Sequence, residues 1–355
     1  MESISFESLL KELGLEDLQL EFNRLFPSYR FSMEGILSRL LEGDLLGAGE
    51  QFLQGLMMGM ELEFTGIRQM LVMLLTLGIL SALLSRLVMV FDRQQTADMA
   101  MYIFYVVQAG IIMRCFQRMA DVAGETIGNI LEFVKFMLPT YLLTMTMSGG
   151  SVTEKTYTTV LLGIILLIEY LFVNICLPLC YIYLLLAIVN TIWGEERLAL
   201  FMELIQKIIR TLLKGSLAVV TAVSVVQNIL TPSLDRLSRG TLQKIAGVLP
   251  GIGQVTETTL ELLLGTMNVL KNGVGILFLV LLLGICIAPI LYLYIISFLL
   301  EVIAAFTGIV TGKQMTLPIH RTAESIQMLL KTTMTALLLF LLSISMVTLA
   351  TGGLK

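Results

Sequence analysis

Long apolar runs separated by mixed polar stretches dominate the chain, and they predict helices that cross a membrane. The first clear span is expected from about 70 to 91, and a weaker one from about 100 to 116. Two runs of 35 nearly continuous apolar residues follow, at 156–190 and 273–307. At ~1.5 Å per residue each run would make a helix of about 52 Å, which exceeds the ~30 Å hydrocarbon core of a bilayer. Each run is therefore expected to contain a break.

Polar residues and prolines mark where the two long runs are expected to break. Asn174 and Pro178 lie near the middle of the first run, and Pro289 lies in the second. Proline removes a backbone donor and kinks a helix. The pattern leaves two alternatives open: two spans meet at each break, or each run is one tilted helix with a kink.

The spacing of the prolines occurs twice, and this predicts an internal two-fold repeat. Pro139 precedes Pro178 by 39 residues, and Pro250 precedes Pro289 by the same number. Internal repeats build two facing halves around a polar path in many transporters. A shift of 111 residues also superposes two pairs of tyrosines, Tyr181 with Tyr292 and Tyr183 with Tyr294.

The mixed polar stretches predict elements that do not face lipid. The segment 125–147 carries polar residues around Pro139, and it is expected to form a re-entrant or protein-buried hairpin that ends in the turn at Gly149-Gly150. Residues 196–214 have the periodicity of an interfacial amphipathic helix, and a further span is expected at 216–230.

The number of crossings decides whether the two copies run parallel or inverted. Three crossings in each copy would invert the second copy, and an even number would keep it parallel. The loops at 194–214 and 312–331 both carry more bases than acids, which places them on the same side of the membrane. This distribution favours parallel copies.

Composition divides the chain into an acidic module and a membrane part. Hydrophobic residues make up 56% of the chain, charged residues 14%, and the mean hydropathy is +0.88, which together indicate an integral membrane protein. Residues 1–63 hold twelve acids and four bases. The chain begins with acidic helical sequence, so either a removed leader precedes it or the first span directs insertion. We therefore expect an all-α polytopic membrane bundle in four segments: an acidic amphipathic N-terminal cap (1–66), two leading transmembrane helices (67–122), the first repeat (123–232) and the second repeat (233–355).

Residues that could support catalysis or bind a metal are sparse. The four cysteines fall in or beside apolar runs without a CxxC pair, and His320 is the one histidine of the sequence. Neither a disulfide framework nor a zinc site is expected from this pattern. No phosphate-binding glycine loop and no GxSxG elbow occurs in the sequence. The sequence therefore predicts a chain that is not an enzyme, with no cofactor, metal or nucleic-acid partner, and any energy from ATP would require another subunit.

Two acids lie inside apolar runs, where an ionisable side chain costs at least ~2.5–3.5 kcal/mol unless it is paired, protonated or hydrated. Glu169 lies near the middle of the first run, where a function or a buried structural pair is favoured over snorkelling. Glu301 lies later in the second run, where a helix end near the interface is an equal alternative. The candidates for a polar path are Glu169, Glu301, Asn174 and Asn190, and those for helix breaks are Pro139, Pro178, Pro250, Pro289, Gly149 and Gly150.

Four of these local patterns recur in the order and spacing of a known family. They are Ser148-Gly149-Gly150, Asn174-Ile175-Cys176-Leu177-Pro178, Leu249-Pro250 before a glycine-rich turn, and Leu270-Lys271-Asn272 followed by Gly275-Ile276. In this set, which runs through most of residues 65–355, the chain resembles the stage III sporulation protein AE family of endospore-forming bacteria. The resemblance implies a multi-pass protein of the mother-cell membrane around the forespore, in contact with the lipid bilayer and with other membrane subunits of the same sporulation complex.

Three hypotheses for function stay open at this stage. The leading one, which the resemblance implies, is a membrane subunit of a sporulation-specific channel or transport complex between mother cell and forespore. The alternatives are a stand-alone secondary transporter that uses Glu169 and Glu301 as proton or cation sites, and a membrane scaffold without conduction. Replacing both acids by glutamine separates the three, because only a scaffold would tolerate the change in every assay.

Overall fold

The computed structural model of the chain is all-helical wherever it is described. The described residues are 47, 69, 71–76, 79–80, 83, 94–147, 152–193, 198–246, 282–283, 286–309 and 313–351, and no strand occurs in these ranges. The predicted N-terminal cap lies almost wholly outside them, as do Gly149, Gly150 and Pro250. The predictions made for those residues therefore stay predictions.

Besides the helical residues described between 69 and 83, six helices are described along most of their length. Their bounds are Gln94–Met147 (α1), Val152–Leu171 (α2), Leu177–Trp193 (α3), Ala199–Ala246 (α4), Cys286–Ile309 (α5) and Lys313–Thr351 (α6). A single π-helical turn, Phe172–Cys176, joins α2 directly to α3.

Among the described residues, three helical stretches are long and apolar enough to cross a membrane. They are Thr159–Thr191, which combines α2, the π turn and α3, then Cys286–Ile309 in α5 and Met315–Leu342 in α6. The described residues inside the predicted first span, 71–76, 79–80 and 83, are also helical. These features point to a membrane protein.

The first long run forms one helix rather than two spans. The break predicted at Asn174 and Pro178 is present as the π turn, in which the Leu177 N–H bonds the carbonyl of Phe172, five residues back. This wider turn lies directly before Pro178, which has no N–H to donate. In the second run the structure assigns helix on both sides of Pro289 from Cys286 onward, and the break predicted there stays a prediction.

The hairpin predicted at 125–147 is wrong, because α1 continues without interruption from Gln94 to Met147 and passes through Pro139. Buried apolar residues recur at helical spacing through this region, from Met119 and Ala123 to Ile127 and Val134. The polar residues that suggested a hairpin lie on other faces of the same helix. The segment boundary drawn at 122/123 therefore falls inside a continuous helix.

The interfacial helix predicted at 196–214 and the span predicted at 216–230 are likewise one helix, α4. Its buried positions run on through Gly215 at spacings of three and four: Met202, Ile205, Ile209, Leu213, Ser216 and Val220. Because one amphipathic face continues across the junction expected near Gly215, the helix continues there as well. The boundary drawn at 232/233 also lies within α4.

Burial does not follow the register of the proposed repeat. The 111-residue shift pairs Tyr183, which is fully buried, with Tyr294, whose side chain is 57% exposed. A shift of 109 would instead place Tyr183 on Tyr292, which is also buried. Two residues turn a helix by about 200°, so only one of these registers can match the buried faces. The internal repeat stays a prediction.

α6 lies at the centre of the bundle. In an apolar stretch of 18 residues within its candidate span, 67% is buried, against 44% in the corresponding stretches of the other two spans. It packs against α1, α2, α3 and α4, and it also bonds α5, where Ser297 Oγ donates to the carbonyl of Ala323 at 3.2 Å. At one end of the bundle, Tyr105 donates to the carbonyl of Ile188 and Gln108 to that of Met315. The ends of two spans therefore lie at the same level of α1.

Candidate functional site

Glu169 is an acid enclosed in the core of the bundle. Its side chain has no exposed surface, and neither carboxylate oxygen has a hydrogen-bond partner among the described residues. The thiol of Cys286, itself fully buried, is close enough to interact electrostatically with the carboxyl group. Glu169 lies on the same buried face of α2 as its apolar neighbours, so the packing of this face encloses the acid. A carboxyl group in such a place is stable only when a proton or another cation neutralises it.

Glu301 has a different environment, although it was predicted with Glu169 as a polar-path residue. Its Oε1 accepts a hydrogen bond of 2.6 Å from Gln327 Nε2 of α6, and the side chain is half-buried. The bond ties α5 to α6. The geometry therefore explains Glu301 as an interhelical contact.

The two asparagines predicted for the polar path make local bonds. Asn174 Nδ2 donates to the carbonyl of Tyr170 at 2.8 Å inside the π turn, and its side chain is exposed. Asn190 Oδ1 accepts from the backbone N–H of Leu198 at 3.0 Å, just before α4 begins. Asn190 thus ties the end of α3 to the residue that precedes α4. The structure does not bring the four predicted residues into one site.

A polar network that the sequence did not reveal connects α3, α4 and α6. Tyr183 Oη donates to Glu324 Oε2 at 2.6 Å and accepts from Gln206 Nε2 at 3.0 Å. Arg321 donates to the same Glu324 oxygen at 2.9 Å, and the other oxygen lies 3.6 Å from His320 Nε2. The available signal was the spacing of His320, Arg321 and Glu324 on one helix face, which is visible only if residues 312–331 are assigned to a helix rather than a loop.

The predicted helix-break residues also differ in their environments. Pro178 is exposed beside the π turn, Pro289 is half-buried within α5, and only the backbone of Pro139 is described. A proline that was not predicted as a break, Pro318, lies inside α6, and its carbonyl accepts from Thr322 Oγ1 at 2.6 Å.

A groove of about 620 Å³ opens on the bundle surface between α1 and the π turn. Two acids, Asp121 and Glu125, line it together with an apolar wall: Ala120, Gly124, Val173, Leu177, Pro178, Tyr181 and Ile182. Phe116 packs edge-on against Tyr181 with ring centroids 4.9 Å apart. A Cβ at Gly124 would lie 3.4 Å from Leu177 Cδ1, so α1 and α3 approach closely here. Among the described residues, no three acids, histidines or cysteines converge on a common point where a metal ion could bind.

Comparisons with known proteins place these features in context. A family model described as "Stage III sporulation protein AE (spore_III_AE)" matches residues 31–351 of the chain. The chain is similar to "Stage III sporulation protein AE" of Bacillus subtilis (strain 168), with 24% identity over 290 residues that cover 81% of this chain and 72% of the relative. No solved structure matches the chain.

Proposed function

The chain belongs to the stage III sporulation protein AE family, and from this premise we propose that it is a multi-pass subunit of a sporulation-specific channel or transport complex. The complex would lie in the mother-cell membrane around the forespore and would contain further membrane subunits. The proposal assigns no chemical reaction to the chain.

The enclosed carboxyl group of Glu169 is the observation that carries the proposal. It lies in the span Thr159–Thr191 with no hydrogen-bond partner among the described residues. A bundle that served only as a scaffold would gain stability from an apolar residue here, because an unpartnered polar group in the core is destabilising. Intramembrane acids of this kind mark ion or proton paths.

A stand-alone secondary transporter is the second candidate, and the same residue favours it for a different reason. Glu169 has no exposed surface, so it fits the occluded site of a carrier as well as the closed state of a channel. The two candidates differ in what the isolated chain can do. A carrier moves its ion without partners, whereas a channel subunit requires the rest of the assembly.

Affinity purification of the full-length chain from sporulating cells tests the proposal. We expect other membrane proteins to co-purify with the wild type, with Glu169→Gln and with Glu301→Gln. The yield of heat-resistant spores should fall for Glu169→Gln and stay near wild type for Glu301→Gln, because glutamine can still bond Gln327. Purification of the chain alone, or unchanged spore yield with Glu169→Gln, would count against it.

The carrier alternative is tested with the purified chain in sealed vesicles that contain a pH-sensitive dye. A carrier would dissipate an imposed pH gradient, and Glu169→Gln would abolish this activity. A channel subunit without its partners should leave the gradient intact in both cases.

A further inference from the structure

The charged residues in the middle of α1 all lie on one face of the helix. From 114 to 135 they recur at spacings that keep to a single stripe, with a glycine at 128 in the one vacant position. Every one of these side chains is exposed, while apolar residues on the opposite side of α1 are buried in the bundle. We call this stripe the charged face of α1; it consists of Arg114, Arg118, Asp121, Glu125, Glu132 and Lys135.

The charged face lies at the depth of the membrane. Asp121 and Glu125 line a groove with Leu177 and Pro178, which are within three residues of the midpoint of the span Thr159–Thr191. Toward the start of α1, Tyr105 reaches Ile188, close to the end of the same span. At ~1.5 Å per residue the face extends for about 32 Å, which is close to the thickness of the hydrocarbon core.

Exposure of the charged face to lipid is energetically unfavourable. Each acid or base at the bilayer centre costs at least ~2.5–3.5 kcal/mol, and the two acids closest to the midpoint lie on consecutive turns. Most of the exposed residues described for α2 and α3 are, by contrast, apolar, as expected of a lipid-facing surface, among them Val160, Leu167, Leu185 and Val189. The bundle thus has an apolar face suited to lipid and a charged face that is not.

A second copy of the chain in the same orientation would not satisfy the charges of this face. Around an axis normal to the membrane, equivalent residues of two copies meet at the same depth. Arg114 would face Arg114 and Asp121 would face Asp121, and like charges at close range repel. Water satisfies both signs of charge without this repulsion.

We propose that the charged face of α1 forms one wall of a water-filled path across the membrane, and that its acidic middle favours cations. The proposal rests on the proposed function, which requires such a path. Asp121 and Glu125 lie deepest, and the bases lie toward the two ends of the stripe. Carboxylates that line the narrow part of a pore select for cations.

Cysteine accessibility tests this proposal in sealed membranes from sporulating cells. The four native cysteines, all buried, are replaced by alanine, and one cysteine is introduced by Glu125→Cys, by Glu132→Cys or, as a lipid-facing control, by Leu167→Cys. Membrane-impermeant thiosulfonates, one cationic and one anionic, are applied, and their rates are normalised to free cysteine. A single gel-filtration peak in detergent at the elution volume of the wild type shows that each variant folds.

The expected result is modification at 125 and 132 at least about tenfold faster than at 167, because a thiol ionises and reacts in water but not in lipid. The cationic reagent should react at 125 about tenfold faster than the anionic one, because an acidic cleft concentrates cations. A rate at 125 no higher than at 167 would overturn the water-filled wall, whether lipid or a protein partner covers it. Equal rates for the two reagents would overturn the preference for cations.

The same membranes distinguish this inference from the proposed function. Partners that co-purify while 125 stays unmodified would place the path elsewhere and leave the subunit role intact. Rapid modification of a chain that purifies without partners would support the wall and contradict the subunit role.

Discussion

The network around Tyr183 gives a prediction that can be worked out from its geometry. Tyr183→Phe removes a hydroxyl that donates to Glu324 at 2.6 Å and accepts from Gln206 at 3.0 Å. A hydrogen bond to a charged group contributes ~1.5–3 kcal/mol in soluble proteins. Interhelical bonds in membrane proteins average ~0.6 and reach ~1.7 kcal/mol. Because the acceptor is a carboxylate and Gln206 also loses its partner, we expect a loss of about 1–2 kcal/mol.

The free energy of unfolding of the full chain in mixed micelles is the quantity to measure. Tyr294→Phe is the matched control, because Tyr294 is 57% exposed, and it should change stability by less than ~0.5 kcal/mol. In a double-mutant cycle, Tyr183→Phe and Glu324→Gln should couple by at least ~0.5 kcal/mol. Equal effects of Tyr183→Phe and Tyr294→Phe, with no coupling to position 324, would refute the network as a stabilising contact.

Three further predictions concern single side chains. Glu169→Leu should raise the thermal midpoint of the purified chain while spore yield falls, since it removes a buried acid that has no hydrogen-bond partner among the described residues; a lower midpoint would contradict the assignment of Glu169 as a destabilising buried acid. Asn190→Ala should destabilise the chain by ~0.5–1.5 kcal/mol and Asn190→Asp by much less, because only alanine removes the acceptor for Leu198 N–H; equal losses would contradict a stabilising role for this hydrogen bond. Gln327→Leu should lower the midpoint more than Glu301→Gln, because it leaves the carboxylate without its donor; the reverse order would contradict the assignment.

The apolar runs predicted the membrane character and much of the helical structure, because burial in lipid and burial in a bundle select the same residues. The break near Pro178 was also predictable, since proline cannot donate the backbone bond that an uninterrupted helix would need. Its form as a π turn was not, because the pattern leaves several ways to accommodate a proline.

The error over α1 has a physical cause. Polar residues at 125–135 suggested a chain leaving the helical pattern, yet Asp121, Glu125 and Glu132 recur on one face while Ile127 and Val134 stay buried. A helix that packs on one side and meets a polar surface on the other has low average hydropathy and unbroken periodicity.

In the candidate site, features that depend on the local sequence could be predicted, and contacts between residues distant in sequence could not. The position of Glu169 inside an apolar run favoured a functional residue or a buried structural pair over snorkelling. The structure places the acid in the core without a hydrogen-bond partner among the described residues, and its role in a polar path stays a prediction. The partner of Glu301 could not be predicted, because Gln327 lies on another helix and pairing across helices depends on the packing. The same holds for Tyr183 and Glu324, which are separated by 141 residues.

Ion current through the affinity-purified assembly in a planar bilayer, recorded across a KCl gradient, tests the central claim most directly. A water-filled path with an acidic middle predicts a current whose reversal potential shifts toward the potassium equilibrium potential, and Glu125→Gln should reduce that shift. No current above that of a mock purification, or a reversal potential on the chloride side, would contradict it.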